Sequence, residues 1–288
     1  FDRIDEFSSN VTRQFPTLHI LTSFQTASRW RRCSKRWDTR LRWLTLILFM
    51  RIKLRVSCIL MKVLVTGKNG FIARHLIKRL GDCDVYGVGR VTPHEITKIL
   101  SEFKPQIIYH LGAELKKSHE MFDSNVVLTQ AIIEWCIKNP VERLVLFGSS
   151  SEYGNVIKAR SENDLPLPTN MYEATKTATA MLARGAAYEY NVPILFIRPF
   201  TIYGEDEKPT KLTQILFQKM KDGTVLKITD GVHDYMYIDD FIDILLTVVT
   251  RSGSDKFTLL NIGTGIQTTN IQFVNIFQKV TGYKFPVE

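Results

Sequence analysis

Tyr172 and Lys176 stand four residues apart in the stretch NMYEATKTATAMLARGAAYEY. On a helix that spacing sends both side chains out of one face. The pairing matters because a phenol, with a pKa near ~10, is a poor base at neutral pH. A cation about 4 Å away is worth roughly 4 kcal/mol at an effective dielectric near ~20, enough to lower that pKa by about three. The expectation is a tyrosine acid/base whose proton Lys176 loosens. Upstream, the apolar run Leu144-Val145-Leu146-Phe147 opens into GSSSEYG, residues 148–154, where small hydroxyls gather at a strand end. Ligands of open α/β sheets bind outside such carboxyl ends.

Other elements must bring a reaction partner to that tyrosine. Lys62-Val63-Leu64-Val65-Thr66 reads as a strand buried on both faces. Gly67 to Gly70 is a turn, and Ile72, Leu76, Ile77 and Leu80 fall at helical spacing until Gly81. A glycine turn between strand and helix is a phosphate site: the helix N-terminus offers free N–H groups, and glycine admits a pyrophosphate to the backbone. The second strand, residues 84–89, ends at Arg90. An arginine there accommodates a 2′-phosphate, whereas an acidic residue bonds a ribose hydroxyl, so Arg90 points toward NADP. Residues 93–103 carry a helical stripe, and residues 106–113 form a third strand.

TGKNGFIA resembles the TGxxGxxG signature of short-chain dehydrogenases, most of all their extended branch, with Ala73 where the third glycine usually lies. KPQIIYHLGAE, GSSSEYG, YEATK, VPILFIRPFTIYGEDE, DGVHDYMYIDD and LLNIGTGIQTT are similar in turn to later segments of the epimerase/dehydratase members, over essentially all of residues 61–288. The link after Arg90 is short for the family, as if one βα segment were missing. The resemblance implies a Rossmann-like, doubly wound parallel sheet of α/β class, with a small C-terminal substrate lobe. It implies a Ser-Tyr-Lys site in which Ser149 bonds substrate, Tyr172 is the acid/base, and Lys176 bonds the nicotinamide ribose and lowers the tyrosine pKa. NAD or NADP would lie along Gly67, Asn69, Gly70, Phe71, Ile72, Arg90, Leu111 and Pro199, with Tyr172 and Lys176. A nucleotide-linked sugar would meet Ser150, Thr201 and His233; Thr201 stands where an Asn is common, and His233 where an Arg usually meets a diphosphate. A histidine there weakens anion binding at neutral pH.

The implied reaction is an alcohol–ketone interconversion by an epimerase or a reductase. Dehydratases of the family carry a carboxylate two residues before the YG tyrosine, where Ser151 stands here; Glu152 lies one step later, on the other face of a strand. A nucleotide-sugar dehydratase and a non-catalytic NAD(P)-binding regulator are the alternatives. The family also implies a homodimer.

The formal charge of +9 is uneven: residues 1–60 hold 12 Lys+Arg against 4 acidic residues, and residues 61–288 are nearly balanced. The latter give no reason to expect nucleic-acid binding. Residues 1–60 read as a leader outside the fold, extraneous or targeting-like. Residues 61–200 read as the dinucleotide-binding domain and 201–288 as the substrate lobe, C-terminally incomplete by comparison with the family. The longest apolar run of the leader, Leu44 to Met50, falls short of the roughly 20 residues a membrane span needs. Cys33, Cys58, Cys83 and Cys136 lack metal-ligand spacing and read as free thiols of a reducing, cytoplasmic compartment. No metal is expected.

Overall fold

Apolar runs without polar alternation become strands covered on both faces. A computed structural model describes residues 61–155, 158–251 and 256–286, so the predicted leader lies outside the described residues. β1 (Lys62–Thr66), β2 (Asp84–Val88), β3 (Ile107–His110), β4 (Arg143–Phe147), β5 (Ile194–Pro199) and β9 (Phe257–Ile262) form one parallel sheet in the order β2-β1-β3-β4-β5-β9. β2 is the edge, directly beside β1, which agrees with the missing βα segment inferred from the short link. The order reverses between β1 and β3, the position where open α/β sheets bind their ligands.

Both faces of this sheet are covered, as a doubly wound fold requires. α1 (Phe71–Arg79) and α7 (Ile238–Arg251) pack together on one face, over Val63, Val65, Val145 and Ile197. The other face carries α2 (Pro93–Phe103), α4 (Leu128–Lys138) and α5 (Met171–Tyr190), over Leu64, Ile108, Leu146 and Phe196. α5 comes close to the strands because Ala180, Ala183 and Ala187 line its inner stripe.

The helix starts follow from local chemistry. Thr92 and Glu95 form a reciprocal capping box on α2, and the left-handed Lys104 ends it at φ 51°. Asn170 accepts the Glu173 amide at the start of α5, as its sequence position predicts. The short helix α3 (Ser118–Met121) continues through a π-helical stretch, Phe122–Val127, into α4. π-helical turns are uncommon and often sit at functional sites.

Beyond β5, β6 (Thr201–Tyr203) pairs with β8 (Tyr235–Tyr237), and β7 (Val232–His233) with β10 (Thr268–Thr269). With α6 (Leu212–Asp222) and α8 (Asn270–Thr281) they enclose a separate aromatic core of Tyr203, Phe273, Phe277 and Phe285. Among the described residues no helix is long and apolar enough to cross a membrane, and no group of His, Cys, Asp and Glu could hold a metal ion.

Candidate active site

The glycine turn is built for close approach. Gly67 adopts φ +69°, and a Cβ there would stand 2.8 Å from the Gly112 amide nitrogen, at the open end of β3. Gly70 precedes α1 without a side-chain cap, so the first amides of that nine-residue helix remain open to an anion. Asn69 is exposed on the turn, Phe71 and Ile72 begin α1 half-buried, and Ala73 packs at 1% exposure where the family's third glycine would sit. Leu111 lies against the turn through its backbone. These residues fit a dinucleotide pyrophosphate. Replacing Gly67 with Ala forces both a left-handed alanine and a backbone clash. Gly67→Ala should therefore lower the melting temperature and remove stabilisation by NAD; retained NAD stabilisation in a thermal-shift assay would contradict the cradle.

Ser149, Tyr172 and Lys176 meet at the carboxyl end of β4. Lys176 is buried, and its Nζ donates to the Phe147 carbonyl at 2.7 Å. Burial pulls its pKa down to about 8, against the pull of the Glu152 carboxylate, which favours the charged form. Burial pushes the Tyr172 phenol up, the Glu152 charge adds to that, and a side-chain hydrogen bond with Ser149 acts in the opposite direction. The expected lowering of Tyr172 by Lys176 is thus corrected: the pKa is raised. The phenol is desolvated and faces a carboxylate, while the ammonium is tied to a carbonyl. Ser149 Oγ is itself fixed by Ser151, at 2.8 Å to its hydroxyl and 3.2 Å to its amide. Ser150 opens the short 3-10 turn Ser150–Tyr153.

Beneath the serine lies a buried network that the sequence reading missed. Glu152 Oε1 accepts the Ser149 amide at 2.8 Å, and Oε2 accepts Arg198 Nε at 3.0 Å and Nη2 at 2.8 Å. Arg198 Nη1 donates to the Tyr153 hydroxyl at 2.9 Å, and that hydroxyl donates to Asn261 Oδ1 at 2.8 Å. Glu152 and Arg198 are both essentially inaccessible to solvent. A Cβ on Gly148 would lie 2.1 Å from Glu152 Oε1, so the carboxylate fills the space a side chain would need. The one signal in the sequence was a lone arginine closing the apolar strand ILFIRP, since buried charges demand partners.

A second unforeseen chain links the glycine turn to the tyrosine helix. The Gly112 amide donates to Thr66 Oγ1 at 3.1 Å. Thr66 contacts His110 Nδ1 at 2.7 Å, and His110 Nε2 contacts Thr129 Oγ1 at 3.0 Å. Thr129 donates to the Asn125 carbonyl at 2.5 Å. Every group is satisfied if His110 is neutral with its proton on Nε2. Burial, helped by the nearby Lys176 charge, pushes its pKa down to about 3, in keeping with the neutral form. The Asn125 side chain, in the π-helical stretch, donates to Thr175 Oγ1 at 3.0 Å, and Thr175 donates to the Tyr172 carbonyl at 2.9 Å. Asn125 and Thr129 are polar positions in the run SNVVLTQAII, which the sequence reading passed over.

The remaining predicted residues form two other groups. Pro199 ends β5 half-buried, and the Thr201 amide donates to the Asp234 carbonyl at 3.0 Å. His233 pairs with Thr268, and its ring lies 5.5 Å from that of Tyr235. Burial and the Lys211 charge lower its pKa, so at neutral pH the ring is uncharged. Arg90 lies just beyond β2, where Glu114 and Glu120 pair with its guanidinium.

A profile of the NAD dependent epimerase/dehydratase family matches residues 63–263. A UDP-glucose 4-epimerase of Mycolicibacterium smegmatis is 28% identical over 250 residues, covering 73% of this chain and 79% of the relative. The solved structure of MoeE5 in complex with UDP-glucose and NAD is 27% identical, with a TM-score of 0.71 over 78% of this chain and 84% of that one. A UDP-glucose 4-epimerase from Thermotoga maritima shares the fold at 24% identity, with a TM-score of 0.71 over 79% of this chain and 85% of its own. The six-stranded parallel sheet flanked by helices agrees with those neighbours, and the chain belongs to the NAD dependent epimerase/dehydratase family.

Proposed function

We propose that the chain is an NAD(P)-dependent epimerase acting on a nucleotide-linked sugar, with a reductase on the same class of substrate as the second reading. The observation that carries it is the gathering of Ser149, Tyr172 and Lys176 at the carboxyl end of β4, on the same edge of the parallel sheet as the glycine turn after β1, with β3 between them. A relative named as a UDP-glucose 4-epimerase and a solved neighbour in complex with UDP-glucose and NAD supply the substrate class. A dinucleotide held by the glycine turn and Lys176 would supply the hydride acceptor and donor for the sugar carbon.

This chain's residues manage the proton. Tyr172 takes it from the sugar hydroxyl as the ketone forms and gives it back on reduction. Ser149 orients that oxygen through the hydrogen bond it shares with the phenol. Lys176, whose Nζ donates to the Phe147 carbonyl, would offer its remaining N–H groups to the ribose and to the developing phenolate. The raised phenol means that the base form is scarce at neutral pH, so oxidation should quicken as pH rises through neutrality. Epimerase chemistry is favoured over reduction because the relatives named above are epimerases or bind NAD. The burial of Glu152 on Arg198 speaks against the dehydratase alternative, since that carboxylate is turned away from substrate.

A homodimer is part of this reading: Met181, Leu182 and Tyr190 of α5 are exposed apolar side chains beside Ile133 and Ile137 of α4. The test of function is a thermal-stabilisation screen of the full chain with NAD, NADP, UDP-glucose and UDP-glucuronic acid, followed by product analysis. Stabilisation by a cofactor and a UDP-sugar together, with epimer formed and no net redox turnover, is the expected result. Net oxidation or reduction would select the reductase, and no binding of either ligand class would overturn the proposal.

A further inference from the structure

Arg90 occupies the position where a cation accommodates a 2′-phosphate, two residues beyond the end of β2. Its surroundings give it another task. Nη2 lies 2.5 Å from Glu114 Oε2, and Nη1 lies 3.0 Å from Glu120 Oε2. Those two nitrogens are the ones a guanidinium uses to grip a phosphate in a bidentate way.

Glu114 does not depend on Arg90 for its place. Its Oε1 accepts the amides of Leu115, Lys116 and Lys117 at 3.0, 3.0 and 3.2 Å. Its own amide and carbonyl are held by the Asn125 side chain at 2.7 and 3.0 Å, so it is anchored to the chain that reaches Tyr172. Those three amides, more than the guanidinium, hold the Glu114 carboxyl down at about 2, fully ionised at neutral pH. Glu120 also binds Lys117 Nζ at 2.8 Å, with His119 3.6 Å away. Arg90 and Lys117 are therefore balanced by Glu114 and Glu120, leaving no net charge to draw in a phosphate dianion. Arg90 is the exposed member at 65%, against 14% for Glu114, so the amide-anchored carboxylate holds the exposed guanidinium rather than the reverse.

We propose that Glu114 and Glu120 make this site select NAD over NADP, by occupying both terminal nitrogens of Arg90 and presenting two carboxylates to any 2′-phosphate. The inference rests on the dinucleotide-binding reading and reverses the NADP preference that Arg90 suggests in isolation. A ribose 2′-hydroxyl carries no charge to repel and can donate to a carboxylate. Lys68, whose stem lies along Gly87 and Gly89, is also on this edge. Its charge is present in every variant below, so it cancels from their comparison.

The test is calorimetric titration of the full chain with NAD and with NADP at one ionic strength. Wild type should bind NAD about tenfold or more tighter. The double variant Glu114→Gln/Glu120→Gln should narrow the ratio by about tenfold, since exposed charge pairs are each worth up to a few-fold. Glutamine keeps the Oε1 acceptor for the three amides, and Glu120→Gln alone should narrow the ratio by about threefold if the pair fails to fold. Adding Arg90→Ala to the double variant should erase the gain, because the released guanidinium is what then meets the phosphate. NADP bound as tightly as NAD by wild type, or a ratio unmoved by the glutamines, overturns the proposal. Binding of neither cofactor by folded wild type overturns the dinucleotide reading along with it.

Discussion

Tyr172→Phe should lower turnover by about 10³-fold, within the range of roughly 10²–10⁴ that a positioned acid/base contributes, while leaving NAD affinity nearly unchanged. The substitution removes one oxygen from a half-buried ring and leaves the packing of α5 intact, because the face that closes on the sheet is made by alanines. The phenol is the group on which burial, Glu152 and Ser149 all act, and the reaction needs a proton acceptor there. Steady-state rates with UDP-sugar, alongside NAD titration of the same preparation, check it. A rate within about twofold of wild type would remove Tyr172 from the chemistry, since that is far below any acid/base contribution.

The second large effect concerns stability. Glu152→Ala leaves the Arg198 guanidinium buried without its carboxylate, and breaking one partner of such a pair costs about 3–5 kcal/mol. For a chain of this size that is on the order of 10 °C in melting temperature. The loss should extend to the serine, because Glu152 Oε1 holds the Ser149 amide. Replacing both charges together, Glu152→Leu with Arg198→Met, should recover most of the stability, since an apolar pair of similar volume avoids desolvating two ions. It should not recover the alignment of Ser149. Thermal melts of the three proteins separate the outcomes: a single variant as stable as wild type would mean the pair carries little.

Much of the scaffold was legible because it is written in local patterns. The apolar runs at Val63–Val65 and Leu144–Phe147, the glycine turn after the first of them, and the cap at Asn170 act over a few residues. The i, i+4 pairing of Tyr172 and Lys176 was legible for the same reason. The short link after Arg90 left the strand order on that side open, and the sheet itself places β2 at the edge beside β1.

What escaped the sequence is long-range. Arg198 meets Glu152 across 46 residues, and Asn125 meets Thr175 across 50, so no spacing rule marks either pair. Tyr172 shows the limit of a pairwise argument. Lysine proximity alone predicts a lowered phenol, but burial and the Glu152 carboxylate in the Ser150–Tyr153 turn reverse the sign. Arg90 shows the same limit at the surface, where two acids distant in sequence take up a guanidinium that looked free for phosphate.

Hydride return beside Tyr172 is the claim on which the functional account depends, and an isotope follows it most directly. UDP-glucose and UDP-glucuronic acid deuterated at C4 are incubated with the NAD-bound full chain, and the products are separated and weighed by mass spectrometry. The account predicts a C4 epimer that keeps its deuterium, formed by wild type and not by Tyr172→Phe. Deuterium lost to solvent, or the same epimer from both proteins, would contradict it.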